Sequence, residues 1–425
     1  MEELGNSEFF YHGKFYRNGT FDDLYIGIAD GKIKSMSKFQ NVKKVIELNG
    51  AVFPGATDIH VHFRDPGETD KEDFSTGSMS AIFGGTTTVL DMPNNSISVV
   101  DYEIYEKKKS AIKGRSFCDY GFHSMFNGDN IPLIHKESAG IKVFMGESTN
   151  ATGIEEISDA NQSKLDELGK NIIFHCESGS CLRNNAIKEE SMCDHHFSRK
   201  SQCELDAMKK MNSFSMRRKI AAHISDYRNV RSLGNITFQK EILPQHMLLS
   251  CEKLSGSWGK VNPPIRDEKT RLENFQAYIN GDIQVLSSDH APHTEYDKGE
   301  FQHAKSGMIG VETRVPLILN LVRKKIVSME VFVNTAILNP PVLFGLKKGV
   351  IEKGYDADFF TVNFSSVRKI NEGKLHSKNP FTPFHGFEAI FPDSVVLGGE
   401  IAIENNELID DHFGKYKSFD KIMEP

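Results

Sequence analysis

The chain alternates between two hydrophobic rhythms. Runs rich in apolar and β-branched residues recur at 51–63, 86–93, 117–126, 140–146, 171–177, 219–225, 236–243 and 283–293. Between them, 72–83, 101–113, 155–169, 199–213, 226–234, 266–280 and 309–325 carry apolar residues at helical spacing. Near-continuous apolar strands that alternate with helices predict a parallel sheet covered by helices. Eight such units predict an α/β fold, a (β/α)8 TIM-like barrel. An open, doubly wound sheet is the rival, but no GxGxxG loop follows any of the strands.

The flanks have a different pattern. Residues 8–50 and 349–410 alternate short strand-like pieces with NG, DG and GG turns. Both ends together predict a small β-sandwich, a discontinuous domain of 1–52 and 346–425 beside a barrel domain over 53–345. That division accounts for a length of 425 residues, long for one ordinary domain.

Composition narrows the function classes. With 39% hydrophobic residues the chain can bury a large core. Its net charge of −7 argues against nucleic acid as a partner, which calls for a basic surface. The first residues, MEELGNSEFF, have no basic segment followed by an apolar one, and no run approaches the length of a membrane span. The six cysteines (118, 176, 181, 193, 203, 251) include no CxxC and read as free thiols of a reducing compartment. The expectation is a cytoplasmic, soluble protein, with no membrane partner and a homodimer as one possible assembly.

The candidate chemistry sits at the ends of the predicted strands, where a barrel places its active site. His60 and His62 end the first strand two residues apart, so both face the interior. Lys142 lies on the fourth strand, His175 ends the fifth, His223 the sixth, and Asp289 the eighth, with His290 and His293 after it. Each has a plainer reading. His175 and His223 taken singly fit hydrogen-bonded core histidines, and Asp289 fits a helix cap. Lys142 on an apolar strand is harder to explain, because a buried amine without a partner is costly. Together these residues form an N/O donor set without thiolates, suited to Zn²⁺, Mn²⁺ or Co²⁺. They exceed the needs of one tetrahedral ion and suit two ions about 3.5–4 Å apart. Arg64, two residues past His62, shares its face and suits a planar carboxylate. A salt bridge to Asp65 or Glu68 is its structural alternative.

These residues carry a resemblance. The segments PGATDIHVHFRDPG (54–67), GGTTTVLDMPN (84–94), GIKVFMG (140–146), HCES (175–178), AAHIS (221–225), NPPIR (262–266), SSDHAPHT (287–294) and SGMIGVET (306–313) resemble, in order, the dihydroorotases of the long, class I type in the amidohydrolase superfamily. The resemblance implies reversible cyclisation of N-carbamoyl-L-aspartate to L-dihydroorotate and water, a step of de novo pyrimidine (UMP) biosynthesis. It implies two divalent ions, Zn²⁺ first among them. His60, His62 and Asp289 would hold one, and His175 and His223 the other, with N6-carboxylated Lys142 as the bridge. Asp289 would also move the proton. Arg64, Asn94 and His293 would bind the substrate's α-carboxylate, Asn262 its ring, and the backbone at Gly307 and Met308 would lie alongside. Asn95-Ser96-Ile97 and Ser178 depart from the family's usual residues, and Ser178 is expected to change what surrounds His175.

Other cyclic amidohydrolases, such as allantoinase or dihydropyrimidinase, form the alternative reading. They share the HxH pair and the lysine but generally lack an arginine at the position of Arg64. A catalytically dead assembly partner is a third reading, disfavoured by the complete ligand set.

Overall fold

The computed structural model describes residues 9–39, 44–409 and 414–419. The opening segment 1–8, within the stretch read above for a leader, lies outside the described residues, as do 410–413 and 420–425 of the C-terminal tail.

The apolar runs form strands where they were expected. Ala56–Val61, Thr86–Asp91 and Asp119–Phe122 pair in parallel in one sheet. Ser124–Met125, Gly140–Phe144, Asn171–His175, Lys219–Ala221, Gln239–Ile242 and Val285–Leu286 pair in parallel in another. The two sheets are continuous at both ends. The chain passes from Phe122 to Ser124 through one residue, and past Leu286 it bridges back to the first strand at Val61↔His290. Eight parallel strands thus close into a ring.

Helices fill the intervals, with Phe74–Phe83, Tyr102–Ile112, Asp159–Glu167, Ser201–Ser213, Glu268–Ile279 and Val311–Arg323 the longer ones. Side chains at their starts explain the boundaries. Asp73, Asp101, Ser158 and Asp267 each accept the backbone N–H three residues on, which satisfies donors that a helix start leaves bare. Among the described residues no helix is long and apolar enough to cross a membrane.

The chain's two ends meet in one eight-stranded sheet. Its order runs Glu407–Leu408, Glu400–Glu404, Ser394–Leu397, Phe359–Val362, Val45–Pro54, Phe9–Arg17, Thr20–Ala29, Lys32–Ser37. The sheet folds onto itself. Tyr11 Oη donates at 3.0 Å to the carbonyl of Gly399, in the turn after Ser394–Leu397, although that strand lies three positions from the one that carries Tyr11. Phe15, Ile26, Ile33, Val52, Phe359 and Val396 fill the space between. This is the two-layer sandwich expected of the flanks.

The reading of six free thiols is corrected. Cys181 is bonded to Cys203 and Cys193 to Cys251, and Cys118 and Cys176 are buried and free. The partners stand 22 and 58 residues apart. No spacing motif marks such pairs, and the approach of their Cα atoms to 5.3 and 5.1 Å is a property of the packed helices. Both bonds staple the connection that follows His175.

Candidate active site

One pocket at the C-terminal mouth of the ring is lined by His60, His62, Lys142, His175, His223 and Asp289, with Arg64, Asn94 and Asn262 around them. His293 stands behind Arg64, its Nε2 3.2 Å from Arg64 Nη2. The structure therefore brings every one of the ten candidate residues to one place. Three of them, Arg64 (φ 59°), His223 (φ 39°) and Asp289 (φ 49°), adopt the left-handed backbone that non-glycine residues avoid. Strain of this kind persists where the surroundings over-determine it, and here it turns side chains from strand ends into the pocket.

The six at the floor form one cluster. His62 Nε2 is 3.0 Å and His60 Nε2 3.4 Å from Asp289 Oδ1. His175 Nδ1 is 3.0 Å from His223 Nε2. Buried carboxylates hold the opposite edges of two rings. Glu241 Oε1 lies 2.8 Å from His60 Nδ1, and Glu177 Oε2 lies 2.9 Å from His175 Nε2. Each carboxylate takes the N–H of its imidazole, which leaves the other nitrogen's lone pair directed at the cluster. Arg199 in turn grips Glu177, with Nε at 3.1 Å from Oε1.

Lys142 is fully buried, and its Nζ has no hydrogen-bond partner among the described residues. Burial lowers its pKa to about 8 against the opposing pull of Glu241 and Asp289. Burial also holds His60 and His223 far below the usual histidine value, Lys142 adding to this at His60 and His175 at His223. Burial pushes the Asp289 carboxyl up, but His60 and then His62 outweigh it and bring it well below the usual carboxylate range. Neutral imidazoles and an ionised carboxylate are the donors that a divalent cation takes. The donor set fits. Two further groups, Glu106–His135–Glu137 and Asp119–Asp356–Asp358, have carboxylates drawn together as well. Each already holds cations: Lys109 bonds Glu137, and Lys348 and Lys417 bond Asp119.

The rim is built from loops. Arg64 is 3% exposed, and its Nε donates to Pro292 O at 3.3 Å. Among the described residues no carboxylate pairs with it. Asp65 is taken by Arg115 at 2.8 Å and Glu68 by Lys71 at 2.5 Å, so neither structural salt bridge foreseen for Arg64 forms. His293 Nε2 lies 3.0 Å from Ser306 O; burial, then Arg64 and Lys298, keep its ring neutral. Asn94 Nδ2 donates to Thr149 O at 3.0 Å, which seats Ser148 and Thr149 over the pocket. Gly307 lines it as well, at φ 149°, where a Cβ would stand 2.3 Å from Ala291 O.

Residues 51–401 match the amidohydrolase family. The chain belongs to the amidohydrolase family. It is 49% identical over 404 residues to the dihydroorotase of Thermoplasma volcanium, which covers 95% of this chain and 96% of that one. It is 47% identical to the dihydroorotase of Thermoplasma acidophilum with the same coverage. Against the dihydroorotase of Methanosarcina mazei it is 32% identical over 421 residues, covering 91% and 92%. Among solved structures it superposes on the L-hydantoinase (dihydropyrimidinase) from Arthrobacter aurescens with a TM-score of 0.90, covering 97% of this chain and 100% of that one at 24% identity. The dihydropyrimidinase from Brevibacillus agri NCHU1002 gives 0.88 at 22% identity, covering 98% and 100%. At these identities the structural likeness carries the amidohydrolase fold alone.

Four residues that hold this amidohydrolase site escaped the sequence reading. Glu241 and Glu177 are described above. Asp58 accepts from the backbone of His60 at 3.2 Å and of Ser288 at 3.3 Å, tying the first strand's end to the eighth's. Arg314, fully buried, donates to Thr57 O at 3.2 Å and Leu286 O at 2.6 Å beneath them. Glu177 and Asp58 left a signal, one two residues past His175 and the other two residues before His60, the spacing that puts strand residues on one face. Ser178 does not reach His175. It caps the helix Gly179–Asn185 and bonds Glu155 at 3.0 Å.

Proposed function

We propose that the protein is a dihydroorotase, which interconverts N-carbamoyl-L-aspartate and L-dihydroorotate plus water in de novo pyrimidine biosynthesis. One observation carries the choice of substrate. Arg64 is a buried guanidinium at the pocket with no paired carboxylate among the described residues, and a substrate's α-carboxylate supplies that partner. An allantoinase or dihydropyrimidinase has no use for that cation. The near-full-length likeness to curated dihydroorotases supports the same choice.

We assign His60, His62 and Asp289 to one divalent ion, His175 and His223 to a second, and N6-carboxylated Lys142 to the bridge. Zn²⁺ is the ion that this N/O set suits best. When bound, such a pair supplies an acidified water and withdraws charge from the amide carbonyl. The protein's own residues do the rest. Arg64, with Asn94 and His293 beside it, holds the carboxylate and so fixes the amide carbon over the floor. Asp289, an ionised carboxylate, takes a proton from the attacking water and delivers it to the departing ring nitrogen as the C–N bond breaks. In the synthetic direction the same carboxylate removes the ureido proton and returns it to the leaving oxygen. Asn262 contacts the ring.

We further take 53–345 as the catalytic unit and the two ends as a second, discontinuous one, in a cytoplasmic homodimer.

The test is hydrolysis of L-dihydroorotate by the purified, metal-loaded protein, in parallel with dihydrouracil and allantoin. We expect turnover of dihydroorotate alone, with kcat/KM lowered about 10–100-fold in Arg64→Met. Turnover of dihydrouracil that survives Arg64→Met would overturn the reading.

A further inference from the structure

Asn262 stands on a chain of polar contacts that the proposed reaction does not use. His195 lies on the short helix Met192–Ser198, in the connection after His175, and is 2% exposed. Its Nε2 is 2.9 Å from Val261 O and 3.1 Å from Asn262 Oδ1. Its Nδ1 is 2.9 Å from Glu189 Oε2. A carbonyl and a carboxylate have no proton to give, so the ring makes both bonds only by donating from both nitrogens. Lys260 Nζ lies 3.1 Å from the same Glu189 oxygen. Burial raises the Glu189 carboxyl, but His195 and Lys260 outweigh it and bring it down to about 2, so its charge persists. On the other side, His246 Nε2 donates to Pro263 O at 3.0 Å. Two imidazoles therefore grip the three residues Val261, Asn262 and Pro263.

An asparagine amide presents either its oxygen or its nitrogen, and only a neighbour settles which. We infer that His195, anchored by Glu189, is a positioning residue that engages the Asn262 oxygen and so turns the amide nitrogen into the pocket as a donor. The site then reads an acceptor on the substrate, a ring carbonyl oxygen. A purely structural role for His195, fastening its helix, is already filled by the bond between Cys193 on that helix and Cys251. The inference rests on the dihydroorotase reading, which supplies the substrate.

The experiment is steady-state kinetics on L-dihydroorotate with metal-loaded enzyme, with metal content measured for each variant. His195→Leu is expected to raise KM about tenfold, the scale of one lost oriented hydrogen bond, with kcat within about twofold and metal content unchanged. His195→Gln keeps a donor at that place, so its KM rise is expected to be smaller. In an Asn262→Ala background His195→Leu should add nothing further. Should His195→Leu fail to fold, Glu189→Gln tests the same link with a KM rise of the same sign. An unchanged KM, or an equal rise in the Asn262→Ala background, overturns the positioning role. Failure of the unsubstituted enzyme to turn over dihydroorotate overturns the underlying reading instead.

Discussion

The floor and the rim of the pocket are built by different means. Floor residues come from strand ends, four of them within or directly after hydrogen-bonded strands, and two of them, His60 and His175, rest their far edges on buried carboxylates. Rim residues come from loops, and what holds them is other loops and one short helix: Pro292 O for Arg64, Thr149 O for Asn94, and His195 of the helix Met192–Ser198 for Asn262. Strand register leaves little freedom, so the floor carries the part of the site where small displacements ruin chemistry. Loops can be rebuilt without disturbing the barrel, so the rim carries selectivity.

That contrast makes floor substitutions act on turnover and metal content, and rim substitutions on substrate affinity. Asp289→Asn removes the carboxylate proposed to carry the proton and should lower kcat by about 10²–10⁴-fold with KM little changed, as steady-state kinetics would show. Lys142→Ala should lower metal content below two ions per chain, measured by elemental analysis, and take activity with it. Retention of two ions would break the assignment of a bridge. Arg64→Met should raise KM for both substrates, at a cost to kcat/KM of about 10–100-fold, because the carboxylate contact exists in ground and transition states alike. Glu241→Gln keeps the shape but weakens the grip on His60, and should reduce metal affinity about 10-fold in a competition titration.

The smallest effect concerns the rim's support. The Glu189 carboxyl lies at about 2 against an ordinary 4.5. A depressed acid stabilises the fold above its unfolded pKa, and the gain is lost as pH falls through the folded one. The margin in melting temperature over Glu189→Gln should therefore be full above pH about 5 and fade towards pH about 2.

Much of this molecule was readable before any coordinates. Apolar runs set the eight strands because a parallel strand is buried on both faces, and helical spacing placed the seven intervening segments. The period of two placed His60 and His62 on one face, and the position of a residue at a strand's end put Lys142, His175, His223 and Asp289 at one mouth. The family motifs carried Arg64, Asn94, Asn262 and His293.

Other features were decided by tertiary structure alone. Glu241 meets His60 across 181 residues, and Arg314 meets Thr57 across 257. In the sequence both look like ordinary charged residues, because burial and partner are properties of the closed ring. The free guanidinium of Arg64 is likewise invisible in sequence, since Asp65 and Glu68 sit close by and only the fold gives them to Arg115 and Lys71. The cysteines repeat the lesson. Periodicity reports which face of an element a residue occupies, a local matter of backbone geometry. Which two distant faces come within bonding distance depends on the packing of the whole chain, and that settled the disulfides, the carboxylates behind the histidines and the hold of His195 on Asn262.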